Sequence, residues 1–231
     1  DYLAMGKLEG DVAASIVGGM AEACREFGVS LLGGETAEMP GFYDSGEYDI
    51  SGTIVGVVEE DQIIDGKNVE KGDRLWALPS WGLHTNGYSL ARKILLDKEK
   101  LTMATYIEEL GGTVEEIMLA RHRCYLPDLE PLLSSGSIKA LAHITGGGLT
   151  DNLPRVIPEN CGIRINLKTL RPLSIFDYLM ERGNVPQSEM LRTFNMGVGM
   201  VVISSDKPEL TDAWLIGEVT DNPGVYYDGE L

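Results

Sequence analysis

The sequence predicts an α+β fold in which helices pack on sheets and the chain divides into two domains. Helical and strand-like segments follow one another without strict βαβ alternation, so mixed or antiparallel sheets covered by helices are expected. Of the 231 residues, 43% are hydrophobic and 24% are charged, which is typical of a folded protein. A chain of this length can bury one large core or two modest ones.

Residues 1–68 are predicted to form the first domain. Apolar residues recur at helical spacing over residues 11–27, and Gly28 ends that run. Apolar and β-branched residues predict strands over residues 29–32 and 48–58. The first residues read as the end of a structural element, which indicates that a segment precedes them and that this domain is incomplete.

Residues 69–231 are predicted to form the second domain, after a polar stretch with turn signals at Asp65-Gly66 and Lys71-Gly72-Asp73. Its predicted elements, in order, are a strand over 74–78, a loop over 79–87, a helix over 88–96, helical segments over 106–110, 114–121 and 125–133, a strand over 138–144, a helix from 149, a strand over 162–167, helices over 175–182 and 187–194, and strands over 197–204 and 213–219.

Composition argues against nucleic acid and membrane as partners. The formal net charge of −17 repels nucleic-acid phosphates. No apolar run is long enough to cross a bilayer, and no basic stretch followed by an apolar one marks a signal peptide. Cys24, Cys124 and Cys161 lie far apart and in no CxxC pair, which is typical of a reducing compartment rather than of a disulfide framework. A cytoplasmic protein is expected.

The first loop that could carry chemistry contains Gly33, Gly34, Glu35 and Thr36. Paired glycines let the backbone approach a phosphate, and a neighbouring carboxylate is a suitable ligand for Mg²⁺. The alternative is a glycine turn followed by a solvated glutamate.

The second loop spans residues 82–89 and combines His84, Asn86 and Ser89 before a predicted helix. Loops of this kind collect functional groups, although Asn-Gly is also ordinary turn content and a histidine can be structural. His122, within Arg121-His122-Arg123, is interpreted as part of a cationic cluster at a helix C-terminus.

The third loop contains His143, Thr145 and the triplet Gly146, Gly147 and Gly148, between a strand and a helix. Backbone N–H groups of such a loop can converge on a phosphate. Three consecutive glycines weaken local structure, which favours a functional reason for them. The loop has neither the GK[ST] ending of a P-loop nor the spacing of a dinucleotide fingerprint.

These loops together resemble one family, the phosphoribosylformylglycinamidine cyclo-ligases, also called aminoimidazole ribonucleotide synthetases. The resemblance covers essentially all 231 residues, and its specificity comes from the ordered set of motifs. The motifs are Asp-Tyr-Leu-Ala-Met-Gly-Lys-Leu at 1–8, Gly-Gly-Glu-Thr-Ala-Glu-Met-Pro-Gly at 33–41, Gly-Leu-His-Thr-Asn-Gly-Tyr-Ser at 82–89, His-Ile-Thr-Gly-Gly-Gly at 143–148, Asn-Leu-Pro-Arg-Val-Ile-Pro at 152–158 and Arg-Thr-Phe-Asn-Met-Gly-Val-Gly-Met at 192–200.

The resemblance implies two α+β domains and a homodimer formed through the N-terminal domains, with ATP sites near that interface. In the family, a glycine-rich, aspartate-containing loop and an Asn-Asp pair that help bind ATP and metal precede the position of Asp1. This sequence contains neither of them.

The implied reaction is ATP-dependent ring closure of formylglycinamidine ribonucleotide to aminoimidazole ribonucleotide in purine biosynthesis, with ATP and Mg²⁺ as cofactors. The roles that the resemblance implies are catalysis by His84 and Glu35, ATP binding by Gly33, Gly34, Glu35 and Thr36, substrate or phosphate binding by Asn86, Ser89, His143, Thr145, Gly146, Gly147 and Gly148, and metal binding by Asp1 and Glu35. The three loops are expected to gather into one pocket.

Two alternatives stay open at this point. One is another ATP-using member of the same superfamily, such as formylglycinamidine ribonucleotide synthetase or a thiamine monophosphate kinase-like protein. The other is a non-catalytic nucleotide-binding module.

Overall fold

The structure, a computed structural model, describes residues 1–231. The chain forms two compact units, Asp1–Glu60 and Asp61–Leu231. Both contain helices and sheets, so the α+β class is confirmed. The domain division near residue 68 stays a prediction.

The first unit is a small three-stranded sheet with one long helix. Its elements are β1 (Tyr2–Met5), α1 (Gly10–Glu26), β2 (Glu35–Glu38) and β3 (Tyr48–Ser51). Strand β1 is central, parallel to β2 and antiparallel to β3. The predicted first helix is confirmed within one residue at each end.

Of the two strands predicted in this unit, the first was wrong and the second is shorter than predicted. The apolar run at residues 29–32 is not a strand; the strand starts at Glu35, where the chain runs beside β1 and pairs with Tyr2. The strand predicted over residues 48–58 ends at Ser51, because the antiparallel register places Ser51 opposite Tyr2, at the end of β1. Strand pairing, which the apolar pattern does not reveal, sets these limits.

The second unit is built on a six-stranded mixed sheet with helices on both faces. Its strands are β4 (Arg74–Pro79), β5 (Tyr106–Ile107), β6 (Gly112–Thr113), β7 (Ala140–His143), β8 (Gly162–Asn166), β9 (Val198–Ser204), β10 (Trp214–Thr220) and β11 (Gly224–Asp228). Its α-helices are α2 (Tyr88–Arg92), α3 (Val114–Met118), α4 (Leu126–Leu133), α5 (Gly148–Asn152), α6 (Ser174–Gly183) and α7 (Gln187–Thr193). A π-helical segment, Lys93–Lys98, extends α2.

The main sheet has the strand order β11-β8-β10-β4-β9-β7, and β5 with β6 forms a separate hairpin. Side chains alternate between two cores, as a pleated strand requires. On β4, Leu75 and Ala77 join the larger core with Phe176 and Phe194. Trp76, which lies between them in the chain, points to the opposite face and packs in a smaller core around α4. The sheet is therefore covered on both faces, and its strand ends are fixed in position.

Most predicted elements of the second unit are confirmed, with three differences. Residues 106–110 are not helical, since Tyr106–Ile107 forms a hairpin with Gly112–Thr113. The helix predicted over residues 114–121 stops at Met118. The strand Gly224–Asp228 was not predicted; it extends the sheet by pairing in parallel with β8.

No helix of the chain combines the length and the apolar character needed to cross a membrane.

Candidate functional site

In the first unit, the pairing of β1 with β2 brings Asp1 against the glycine pair. The N–H of Glu35 donates to the carbonyl oxygen of Asp1 at 3.0 Å, and the nitrogen of Asp1 donates to the carbonyl oxygen of Gly33 at 3.1 Å. A Cβ atom on Gly34 would lie 2.5 Å from the carbonyl oxygen of Asp1, so only glycine fits there. Glu35 and Thr36 are exposed.

This arrangement places one carboxylate, that of Asp1, directly before β1 and a second, that of Glu35, at the start of the neighbouring strand β2. Carboxylate oxygens are the hard ligands that Mg²⁺ prefers, and the exposed positions leave room for water and phosphate ligands. The residues present therefore fit a magnesium–nucleotide group in their chemistry. We call Asp1, Gly33, Gly34, Glu35 and Thr36 the carboxylate patch.

In the second unit, His84 lies in the loop after β4, and backbone N–H groups hold its side chain. Its Nε2 accepts hydrogen bonds from the N–H of Trp81 at 2.9 Å and of Arg123 at 3.3 Å. Nδ1 therefore carries the proton, and it is buried without a hydrogen-bond partner. The side chain is only 1% exposed. His84 and Thr85 both have positive φ angles, 53° and 63°, so the loop is locally strained.

All three histidines of the chain meet at this point. The rings of His84 and His122 stack with centroids 4.0 Å apart, and Nε2 of His122 lies 3.2 Å from Nε2 of His143. Exposure increases from His84, which is buried, through His122 to His143, which is exposed. We call these three residues the histidine cluster.

The cluster is held in its neutral form. Burial, together with the charges of His122, His143 and Arg123, lowers the pKa of His84 to about 4. Burial also lowers the pKa of His122 and of His143. Desolvation disfavours the charged imidazolium, so near pH 7 the imidazoles serve as neutral donors and acceptors.

The sequence did not indicate that His122 belongs to this cluster. Its placement at a helix C-terminus was wrong, because α3 ends at Met118 and His122 lies in the following loop. The one available signal was that a chain of 231 residues has only three histidines, each near a predicted loop.

The second and third predicted loops are brought together. Oδ1 of Asn86 lies 3.5 Å from the position of a Cβ atom on Gly146, and Nδ2 of Asn86 donates to the carbonyl of His84 at 2.8 Å. Ser89 is exposed in the first turn of α2. The first loop lies in the other unit, and its convergence with these two stays a prediction.

At two of the three positions of the glycine triplet, the packing of the loop requires glycine. A Cβ atom on Gly148, whose φ is +59°, would lie 2.0 Å from the carbonyl oxygen of Leu191. One on Gly147, with φ +97°, would lie 2.6 Å from Cβ of Asp151. Gly146 has no such contact and is exposed. The structural requirement for glycine is therefore strong at residues 147 and 148 and weak at 146.

Asn152 fixes the carbonyl groups of this loop. Its Nδ2 donates to the carbonyl of Gly148 at 2.8 Å and to that of Gly146 at 3.2 Å. Its Oδ1 accepts from the hydroxyl of Thr145 at 3.0 Å. The N–H of Gly148 donates to the carbonyl of Thr145. Because these groups are used internally, the amides of Gly146 and Gly147 are the ones left to face a ligand.

A positioning residue, Asn195, was missed in the sequence although its motif was noted. Its side chain is fully buried. Its Nδ2 donates to the carbonyl oxygens of Gly82 at 2.9 Å and Leu83 at 3.3 Å, and its Oδ1 accepts from the hydroxyl of Ser80 at 2.9 Å. Asn195 thus ties the loop before β9 to the loop that carries His84.

Comparison with known proteins places this fold and these loops in one class. The family of AIR synthase related proteins matches through its N-terminal domain at residues 1–58 and its C-terminal domain at residues 70–229.

Curated relatives define the class further. "Phosphoribosylformylglycinamidine cyclo-ligase" of Trichlorobacter lovleyi is 50% identical over 229 residues, covering 95% of this chain and 66% of the relative. The protein of the same name in Sorangium cellulosum is 44% identical, covering 99% of this chain and 69% of the relative. The chain thus belongs to the phosphoribosylformylglycinamidine cyclo-ligase family, and it spans about two-thirds of the length of these relatives.

Solved structures share the fold at lower identity. Thiamine monophosphate kinase from Aquifex aeolicus has a TM-score of 0.64 at 19% identity, covering 99% of this chain and 72% of that one. A structure of AaThiL complexed with AMPPCP and TMP has a TM-score of 0.62 at 18% identity, covering 99% of this chain and 69% of that one. These similarities support the fold.

Proposed function

We propose that this chain is part of an ATP-dependent cyclo-ligase that converts formylglycinamidine ribonucleotide and ATP to aminoimidazole ribonucleotide, ADP and phosphate. The observation that carries the proposal is that the His84 loop lies beside the glycine-triplet loop, at the neighbouring side chains of His84 and His143 and at Asn86 beside Gly146. The name and 50% identity of the Trichlorobacter lovleyi relative support this substrate over those of other ATP-using superfamily members.

The second unit is proposed to hold the ribonucleotide. The amides of Gly146 and Gly147 bind its phosphate, with the Thr145 hydroxyl and Asn86 amide beside them. His143 and Ser89, both exposed, contact the substrate. Asp151 lies against Gly147 and would repel a phosphate, but Arg192 stands 3.7 Å from its carboxylate and offsets that charge.

The carboxylate patch is proposed to hold Mg²⁺ and ATP. Asp1 and Glu35 supply oxygen ligands, and the backbone at Gly33, Gly34 and Thr36 approaches the nucleotide phosphates. The AMPPCP complex of AaThiL, a protein of the same fold, supports nucleotide binding.

The residues around the substrate are proposed to position it and to manage protons. Bound ATP supplies a phosphoryl group that makes the formyl amide oxygen a good leaving group, and Mg²⁺ neutralises charge during that transfer. An amidine nitrogen then closes the ring, and its proton must be removed. His84 is the proposed group for proton transfer or for stabilising the phosphoryl group, and since its ring is buried and its Nε2 is held by backbone N–H groups, this role requires its loop to open on the substrate. Glu35 aligns the nucleotide.

The active protein is proposed to be a cytoplasmic homodimer that pairs through the first unit. Exposed apolar side chains in this unit support the proposal: Ile54, Val55 and Val57 are 81%, 86% and 103% exposed. In the full-length protein such an apolar run is expected to be covered, and the proposal assigns this to the partner subunit. Sedimentation velocity of the full-length protein should give a dimer, and a dilution-independent monomer would contradict this assembly.

A substrate comparison tests the function. The full-length protein is incubated with Mg²⁺, ATP and, separately, formylglycinamidine ribonucleotide, formylglycinamide ribonucleotide with glutamine, or thiamine monophosphate. We expect ADP and aminoimidazole ribonucleotide to form only with formylglycinamidine ribonucleotide. Turnover of either other substrate would reassign the enzyme within its superfamily, and nucleotide binding without turnover of any would indicate a binding module.

A further inference from the structure

We propose that His122 and His143 form a binding site for a divalent transition-metal ion such as zinc. The chain has only three histidines, and a ring nitrogen of each lies within 4.8 Å of those of the other two. Neutral imidazole is the commonest protein ligand for such ions. The cyclo-ligase proposal assigns no role to His122; the two proposals share His143 and His84, and binding measurements without turnover test the metal site separately.

The spacing of the two ligands suits one shared ion. Nε2 of His122 and Nε2 of His143 are 3.2 Å apart, a hydrogen-bond distance, and a shared ion would replace the proton between them. Two nitrogens bound to one zinc at the usual bond length and at the tetrahedral angle lie about 3.3 Å apart. The two rings are inclined by 57°, so they are not stacked and both Nε2 atoms can face a common point. Each ring then carries its proton on Nδ1.

His84 supplies a second observation, a buried donor with no acceptor. Backbone N–H groups occupy its Nε2, so His84 is not assigned as a ligand. Its Nδ1–H is buried without a hydrogen-bond partner. His84 therefore supports the site through its ring and not through a bond to the ion. The ring stacks on His122 and fixes its orientation.

Access and charge are compatible with an ion. His122 and His143 border a cavity of about 340 Å³, which leaves room for exchangeable ligands. Arg123, which follows His122 in the chain, is paired with Asp128 at 2.9 Å and Asp212 at 3.3 Å. The net charge of −17 further favours accumulation of cations near the protein.

Calorimetry with zinc chloride tests the site. The chain is first treated with a chelator and then titrated in excess Mg²⁺, which occupies exposed carboxylates but not imidazoles. One zinc per chain is expected. His122→Ala and His143→Ala should each weaken binding about a hundredfold or more, and His84→Asn, which removes the ring that stacks on His122, about tenfold.

Cys124→Ser is the matched control, because a thiol two residues from His122 is the main competing ligand. It should leave zinc affinity unchanged. Wild-type affinity in His122→Ala or His143→Ala, or loss of binding in Cys124→Ser, would overturn the proposal.

A measurement on the unsubstituted chain covers the case in which a histidine variant fails to fold, as judged by circular dichroism. In ¹⁵N-histidine NMR spectra, one equivalent of zinc should shift the Nε2 signals of His122 and His143 and leave the Nδ1–H of His84 protonated. If those two Nε2 signals stay in place, the site does not exist. Neither measurement uses turnover, so neither outcome bears on the cyclo-ligase proposal.

Discussion

Glu35 and His84, the two residues that the sequence predicts as catalytic, lie in opposite environments. Glu35 is exposed on a four-residue strand, and its side chain makes no hydrogen bond within the protein. His84 is 1% exposed and is held by two backbone donors. The carboxylate patch therefore has the ligands for an ion but little internal support, whereas the loops of the second unit are held by the fold itself.

This difference separates two kinds of functional residue. At the carboxylate patch, a side chain can change with little effect on stability because it contacts mainly solvent. In the second unit, polar side chains such as Asn152 and Asn195 satisfy buried backbone groups, so changing them affects folding and function together. Stability measurements can therefore test the comparison directly.

The largest loss of stability is expected from Gly148→Val. Its Cβ atom would meet the Leu191 carbonyl oxygen at 2.0 Å, and valine is strained at a φ of +59°. We expect a loss of about 4 kcal/mol in the free energy of unfolding, measured by urea denaturation. Gly146→Ala is the matched control and should lose less than about 0.5 kcal/mol. Equal losses in the two variants would contradict the conclusion that glycine is required at residue 148 but not at residue 146.

Acidification should destabilise the second unit through His84. Its pKa in the folded state, about 4, lies below the unfolded value of 6.5, so the unfolded chain binds more protons between these limits. The stabilisation is complete above pH 6.5 and is lost as the pH falls toward 4, by about 2–3 kcal/mol.

Urea denaturation of the chelator-treated chain at several pH values measures this loss. His84→Asn, which does not titrate, should have a flatter stability profile between pH 6.5 and 4. Identical slopes in the two proteins would show that His84 is not held neutral.

Asn195→Ala should cost about 2 kcal/mol, because it leaves the carbonyl groups of Gly82 and Leu83 without their buried donor. Asn166→Ala is a suitable comparison, since Asn166 is exposed and its side chain accepts one hydrogen bond, from the N–H of Lys168. It should cost about 0.5–1 kcal/mol. Thermal unfolding measures both, and a smaller loss at residue 195 than at 166 would contradict the positioning role of Asn195.

Glu35→Gln should have the smallest effect on folding, within about 0.5 kcal/mol, since its side chain is exposed. It should nevertheless weaken binding of Mg²⁺ with an ATP analogue by about tenfold or more, because amide oxygen is a poorer magnesium ligand than carboxylate. Calorimetry of the full-length protein measures the binding. Unchanged binding would remove Glu35 from the nucleotide site, whatever the stability result.

Much of this molecule follows from local pattern in the sequence. Helical periodicity located α1, α4, α6 and α7, and apolar runs located β4, β9 and β10. All of these elements except α1 bury apolar side chains. The ordered motifs indicated the family, and the loops of His84 and Gly146 were recognised as candidates before their contact was known. Where burial or a glycine turn is encoded within a few residues, the sequence is sufficient.

The tertiary structure alone decided what depends on distant partners. The limits of β2 and β3 came from their register with β1, and β11 required its pairing with β8. The histidine cluster joins residues 84, 122 and 143, whose separation along the chain gives no sign that their rings meet. Such contacts arise because a packed sheet brings its strand ends together, a long-range effect that no local pattern of residues records.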